Sequence, residues 1–247
     1  MVSVDIRSGR FRDERGRVIS AARVDALVTA EQQRLSVSLA RLTDAMLNND
    51  IRLVDWQLQF RDQIKNTVIR LALLGNFGQP MDEAAWGAVG VFLRREYRYL
   101  RRFAATIASG QLTPAQIKAR AQLYAGVARR IYERSRKRWH LKNGFTEAKR
   151  TLDPNAQHCP ECPMYATDWT SVEDIVPVGA NCSCGGRCRC RIQYRRSLRQ
   201  LNYTAAFADA ILSEEDRRRG EFEQVLKLVE GRLNLPKRPR PRGFGNG

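Results

Sequence analysis

The chain has 247 residues, enough for one large domain or a helical body with a small appendage, and 43% of them are hydrophobic, which excludes wholesale disorder. Lys and Arg number 43 against 26 Asp and Glu, a formal charge of +17 that points to a polyanionic partner, nucleic acid before an anionic membrane surface. The longest apolar run, Val68 to Leu74, is interrupted by Arg70 and falls far short of the ~18 residues a membrane span needs, so no membrane partner is expected.

Residues 1–19 read as a hairpin or arm. Phe11-Arg12 and Val18-Ile19 flank the polar turn Asp13-Glu14-Arg15-Gly16, and a lone hairpin of this size must lie on something else. Arg7, Arg10, Arg12 and Arg15 follow the start too closely for a secretory apolar region. The expectation is folding in a reducing cytoplasm, where clustered cysteines serve as metal ligands rather than disulfides.

A helical body is predicted over 20–145, in four stretches. The first, about 20–47, carries Val28, Leu35, Leu39, Leu42 and Met46 at three- and four-residue spacing. The second, about 51–74, places Leu53, Trp56, Phe60, Ile64 and Leu71 on one face. The third, about 82–109, has the seam Trp86, Val89, Leu93, Tyr97, Leu100, Phe103 and Ile107, and a basic opposite face of Arg94, Arg95, Arg98, Arg101 and Arg102. The aromatics Trp56, Trp86 and Phe103 read as core. The fourth starts on a capping box, Thr113 with Gln116, with Pro114 at the first helical position. Its seam is Ile117, Ala121, Tyr124, Ala128 and Ile131. It ends in the basic cluster Arg129, Arg130, Arg134, Arg136, Lys137 and Arg138, before Asn143-Gly144. His140, near that end, reads as a partner for the helix dipole. Long amphipathic helices with short links predict a mainly α fold, an elongated bundle.

A small β-containing cysteine-rich knuckle is predicted over 146–197. All six cysteines lie there: Cys159 and Cys162 as a C-x-x-C turn, then Cys182, Cys184, Cys188 and Cys190 around Gly185-Gly186. Paired cysteines with such a spacer are what tetrahedral zinc needs. Six thiols and His158 exceed four ligands. The favoured set is Cys159 and Cys162 with Cys188 and one of Cys182 or Cys184; Cys190 ligates or packs. The zinc is expected to be structural, since an all-cysteine set leaves no open coordination position. No catalytic residues are expected. Gln157-His158-Cys159-Pro160-Glu161-Cys162 lacks the His-x-Glu of a deaminase, and the chain has no P-loop, no G-x-S-x-G and no H-E-x-x-H. Arg187, Arg189, Arg191, Arg195 and Arg196 decorate the knuckle, and Tyr194 and Trp169 are candidates for stacking on bases. Helices over 198–235 follow, then an extended basic tail, 236–247, with Lys237, Arg238, Arg240 and Arg242 between prolines. Nucleic-acid contacts are assigned to the five arginines of the third helix, to Arg187, Arg189 and Arg191, and to these four tail residues.

Leu152-Asp153-Pro154, His158-Cys159-Pro160-Glu161-Cys162, the segment at Trp169, Pro177-Val178-Gly179 and Cys188-Arg189-Cys190 resemble the C-terminal signature of phage head-morphogenesis (minor head) proteins, the Mu F-like group. The hairpin, Trp56-Gln57, Trp86-Gly87 and Arg120 to Ala125 extend the likeness to phage proteins with the same cysteine tail. Cys182 and Cys184 depart from the signature and leave the ligand set open. The resemblance implies a non-enzymatic virion protein of the phage head, assembled in the host cytoplasm and present in several copies. Its implied partners are portal or major capsid protein and non-specifically bound double-stranded DNA. The alternative is a cytoplasmic, phage-encoded, zinc-containing nucleic-acid-binding regulator.

Overall fold

The computed structural model describes residues 3–5, 10–13, 15–166, 168–185 and 188–197. The chain divides into two compact units, one of residues 1–4 and 10–195, the other of residues 5–9 and 196–247. The helices and tail predicted beyond residue 197 lie outside the described residues, as does Arg187.

The described residues are mainly helical, with two small three-stranded sheets. Strands β1 (Ser3–Asp5), β2 (Arg10–Arg12) and β3 (Val18–Ile19) form the first, in that order. β2 and β3 make the expected hairpin, with Phe11 opposite Ile19 and Arg12 opposite Val18. Asp13 closes its turn by accepting from the backbone N–H groups of Arg15 and Arg17, both at 2.9 Å. Phe11 is buried against Phe77, ring centroids 4.4 Å apart, which gives the hairpin the support it needs.

Helices α1 (Ala21–Leu47), α2 (Leu53–Gly75) and α3 (Glu83–Ala108) follow the hydrophobic periodicity. Ser20 caps α1 and Asp82 caps α3, each accepting from a first-turn amide. The core between them is aromatic. Trp56, Phe60, Phe103 and Tyr124 meet at centroid distances of 4.8 to 6.1 Å. The indole N–H of Trp56 reaches the Thr43 hydroxyl at 3.4 Å, and that hydroxyl donates to the Leu39 carbonyl at 2.7 Å.

Two expectations fail here. Trp86 is not core: it is 41% exposed, because α3 is turned so that Ala85, Val89, Phe92, Glu96 and Leu100 face inward. Leu93 and Tyr97 pack only at the edge of the core. Buried Glu96 meets Arg130 at 3.3 Å, and burial still pushes its carboxyl pKa up. The fourth helix is also not continuous. α4 (Pro114–Leu123) keeps the capping box, but a 3-10 turn, Tyr124–Gly126, separates it from α5 (Val127–Lys142). The turn lets Tyr124 join the aromatic core while α5 runs along α2. There the last residue of α2, Gly75, lies so near the α5 backbone that a Cβ would stand 2.5 Å from the Tyr132 carbonyl oxygen.

Behind α5 comes the second sheet. β4 (Glu147–Thr151) is its centre, with β5 (Thr170–Ser171) and β6 (Arg191–Arg195) antiparallel on either side. The apolar segment at 175–177 is irregular and leads into a turn that starts at Val178. A second core gathers Ala148, Val172, Ile175, Val178 and Ile192 with Cys162, Cys188 and Cys190.

Candidate metal centre

Half of the basic cluster at the end of α5 is turned inward. Arg129 is 6% exposed and lies within 3.3 Å of Asp25 and 3.2 Å of Glu133, while its NH2 donates to the Cys190 carbonyl at 3.4 Å. Arg136 donates to the Ile192 carbonyl at 2.7 Å, and Lys137 donates to the carbonyls of Glu173 and Ile175 at 2.8 and 3.1 Å. These cations hold β6 and the loop before the cysteines against the helical body. Glu133, fully buried at 0% exposure, stands between Arg129 and Arg136 as their shared counter-charge. His140 is buried as well. Its ring stacks on Tyr194 with centroids 3.8 Å apart and the planes 14° off parallel, and Arg136 covers the same tyrosine. His140 is therefore a packing residue at the seam. Tyr194 is committed inside the protein, not offered to bases.

On this support the cysteine segment closes on itself. The C-x-x-C turn is held by the Cys162 N–H donating to the Cys159 carbonyl at 3.1 Å and leads into the short helix α6 (Glu161–Met164). Opposite, the Gly185 N–H donates to the Cys182 carbonyl at 2.9 Å and the Cys188 N–H to the Gly185 carbonyl at 3.2 Å. Gly185 takes φ +50°, a left-handed conformation that glycine accepts without steric cost. Glu161 joins the two loops, accepting from the Ser183 N–H at 3.3 Å and the Ser183 hydroxyl at 2.8 Å. Hydrogen bonds, from Cys159 first and then from Ser183, hold its carboxyl pKa down at about 2.

The thiols converge. Sγ distances are 3.4 Å for Cys159–Cys162, 3.5 Å for Cys159–Cys184 and for Cys162–Cys184, 3.4 Å for Cys182–Cys184 and 3.6 Å for Cys162–Cys188. All are too long for a disulfide, whose sulfurs lie about 2.05 Å apart. They approach the ~3.8 Å edge of a tetrahedron with metal–sulfur bonds of about 2.3 Å. Cys159, Cys162, Cys182 and Cys184 all lie within 4.8 Å of one another, a cluster that could hold a metal ion. A second cluster, His158, Cys162 and Cys190, meets the same limit. Cys188, favoured from the sequence, is outside both but touches Cys162. Desolvation opposes ionisation of Cys159, yet the Cys184 backbone N–H and the adjacent thiols bring its pKa down to about 6. Burial drives the Cys162 and Cys184 thiols up. A metal ligand must be deprotonated, so an ion in this cluster has to overcome that burial cost.

Sequence reasoning missed Arg150. It is 1% exposed, and its NH2 lies 3.6 Å from Cys162, 3.9 Å from Cys182 and 3.5 Å from Cys188. Among the described residues no carboxylate pairs with it; Cys190 is a further hydrogen-bond partner, and the ring of Tyr165 lies 5.2 Å away. A buried guanidinium needs an opposing charge, and the sulfurs are the groups in place to carry it. The signal was present in the alternation of β4, where Ala148 and Arg150 share the inward face.

The expected nucleic-acid residues are distributed unevenly. Arg94, Arg95, Arg98, Arg101 and Arg102 are all exposed on α3. Arg189 is exposed, but Arg191 is ion-paired to Asp25 at 3.0 Å, so its charge is partly spent on holding β6 to α1. Trp169 lies under the Arg195 guanidinium, 4.0 Å from its ring centroid. Arg130, Arg189 and Arg191 line a polar cleft of about 1150 Å³, which also reaches Gln33, Cys184 and Cys188. Lys237, Arg238, Arg240 and Arg242 lie outside the described residues. No described helix is long and apolar enough to cross a membrane. Comparison with protein-family models, with curated proteins and with solved structures found no match.

Proposed function

We propose that the chain is a non-enzymatic minor head protein of a bacteriophage, in which a zinc-bound cysteine module is anchored to an elongated helical body that contacts portal or major capsid protein and the packaged DNA. The observation that carries the reading is the cysteine cluster itself, held to α5 by hydrogen bonds from Arg129, Arg136 and Lys137 to backbone carbonyls of the module. Residues that resemble the minor-head signature take part in it, alongside Cys182 and Cys184, which do not: Asp153 holds His158 through its carbonyl, and Cys162 touches both Cys159 and Cys188. Zinc is among the ions that thiolate-rich tetrahedral sites select, and a zinc site filled by protein ligands is structural. The helical body supplies length, since the 27 residues of α1 span about 40 Å. The α3 arginines supply a sequence-independent grip on phosphate, with affinity that falls steeply as salt displaces the released counterions.

The test is quantitative mass spectrometry of purified particles of the phage that encodes the chain, before and after DNA ejection. The expected result is the protein in heads at several copies each. Its absence from particles, with abundance in infected cells, overturns the virion reading and favours the regulator.

A further inference from the structure

We propose that the centre holds two zinc ions joined through the Cys162 thiolate, one bound by Cys159, Cys162, Cys182 and Cys184, the other by His158, Cys162, Cys188 and Cys190. The inference rests on the metal-thiolate reading above and extends it to a second ion.

Cys162 is the only residue in both candidate clusters. It is fully buried at 0% exposure, and its sulfur lies within 3.6 Å of Cys159, Cys184 and Cys188. A single tetrahedron uses four of the seven donors. It would leave buried Cys188 and Cys190 as thiols beside the Arg150 guanidinium. Free cysteines do pack as small hydrophobes, so burial alone decides nothing. His158 adds direction. Its Nε2 lies 2.8 Å from the Asp153 carbonyl, which can only accept, so Nε2 carries a proton, and the neutral ring that a metal ligand needs then has its lone pair on Nδ1. That Nδ1 is 4.0 Å from the Cys190 sulfur. A histidine held by one ring nitrogen with the other aimed at a cysteine is the arrangement of a metal ligand with its orienting partner.

The donor count closes on two ions. Six cysteines and one histidine give seven donors, two tetrahedral ions require eight positions, and one shared thiolate makes up the difference. The chain delivers them in register. Cys182 and Cys184 go to one ion, Cys188 and Cys190 to the other, and the C-x-x-C turn with its preceding histidine reaches both. Six thiolates against two divalent ions leave an excess of two negative charges, which the Arg150 guanidinium partly offsets.

The full chain, produced with zinc, should carry two ions by native mass spectrometry. After exchange into the NMR-active cadmium isotope it should give two metal resonances that split one another through the bridging sulfur. In Cys190→Ser the count should fall to one, and His158→Ala should move one resonance much more than the other. A single ion per chain overturns the two-ion site and leaves the structural-metal reading standing. Two resonances without mutual splitting overturn the shared thiolate. A metal-free protein overturns both readings. The wild-type count decides the matter if the Cys190 variant does not fold.

Discussion

Arg150 is the residue on which the electrostatics of the centre turn. A tetrahedral zinc tetrathiolate carries two surplus negative charges, and placing it in a protein interior is costly without a counter-charge. β4 sets Arg150 against three of the sulfurs and gives it no carboxylate among the described residues. Replacing it with methionine keeps most of the apolar stem and removes the cation and its N–H donors. Arg150→Met should weaken metal binding about 10–100-fold, the usual effect of deleting a group that supports the ligands. Arg150→Lys should recover part of the loss, since it restores the charge but not the planar fork. Competition with a chromophoric chelator measures both. An unchanged affinity in the methionine variant would show that the guanidinium does not balance the thiolates.

At the scale of elements, Gly75 makes a prediction whose sign is informative. Alanine at a helical glycine ordinarily stabilises by up to about 1 kcal/mol. Here the added methyl would meet the Tyr132 carbonyl oxygen at 2.5 Å, the Ser135 Cβ at 2.9 Å and the Arg136 amide at 3.1 Å, two of them backbone atoms that cannot swing away. Gly75→Ala should therefore destabilise by about 1–3 kcal/mol, the range for overpacked sites, read from the midpoint of urea unfolding. A gain would mean that α2 and α5 do not approach as closely as described. The same crossing shows what the sequence could and could not disclose. The spans of α1, α2 and α3, the hairpin and the capping box at Thr113 are local properties of spacing and turn chemistry, and the chain states them openly. The rotation of α3 is not local: Phe92 and Glu96 displace Leu93 and Tyr97 from the core because Arg130, on α5, receives the buried carboxylate. Arg129, Arg136 and Lys137 look like a solvated cluster until β6 and the loop at 173–175 cover them. The cysteines were legible as a cluster that could hold a metal ion by spacing alone. Their grouping was not, because Cys182, Cys184 and Cys188 all follow the C-x-x-C turn at spacings that permit ligation, and the Gly185 turn decides which sulfurs face Cys159.

At the scale of the molecule, two cores of different kinds share one seam among the described residues. The helical body owns an apolar and aromatic core that contains no ligand residue. Of the eight buried residues in the core of the cysteine module, Cys162, Cys188 and Cys190 belong to the candidate centre. Structural zinc contributes roughly 10–16 kcal/mol in small peptides, comparable with or above the ~6–12 kcal/mol that Val172, Ile175, Val178 and Ile192 supply at about 1.5–3 kcal/mol for each large apolar side chain. Removing the metal with a strong chelator should thus unfold the module and spare the body. Far-ultraviolet circular dichroism should keep most of its helical signal, while limited proteolysis should open new cleavage sites within residues 146–195. The body should survive because undocking returns Arg129, Glu133 and Arg136 to water together, and the Arg129–Glu133 pair one helical turn apart can persist on α5. The loss of Tyr194 from the His140 ring exposes only the end of that helix. Cleavage unchanged by the chelator would mean that the module folds without metal. A collapse of the helical signal would mean instead that the seam, with Glu133 at its centre, stabilises the body as much as it anchors the module.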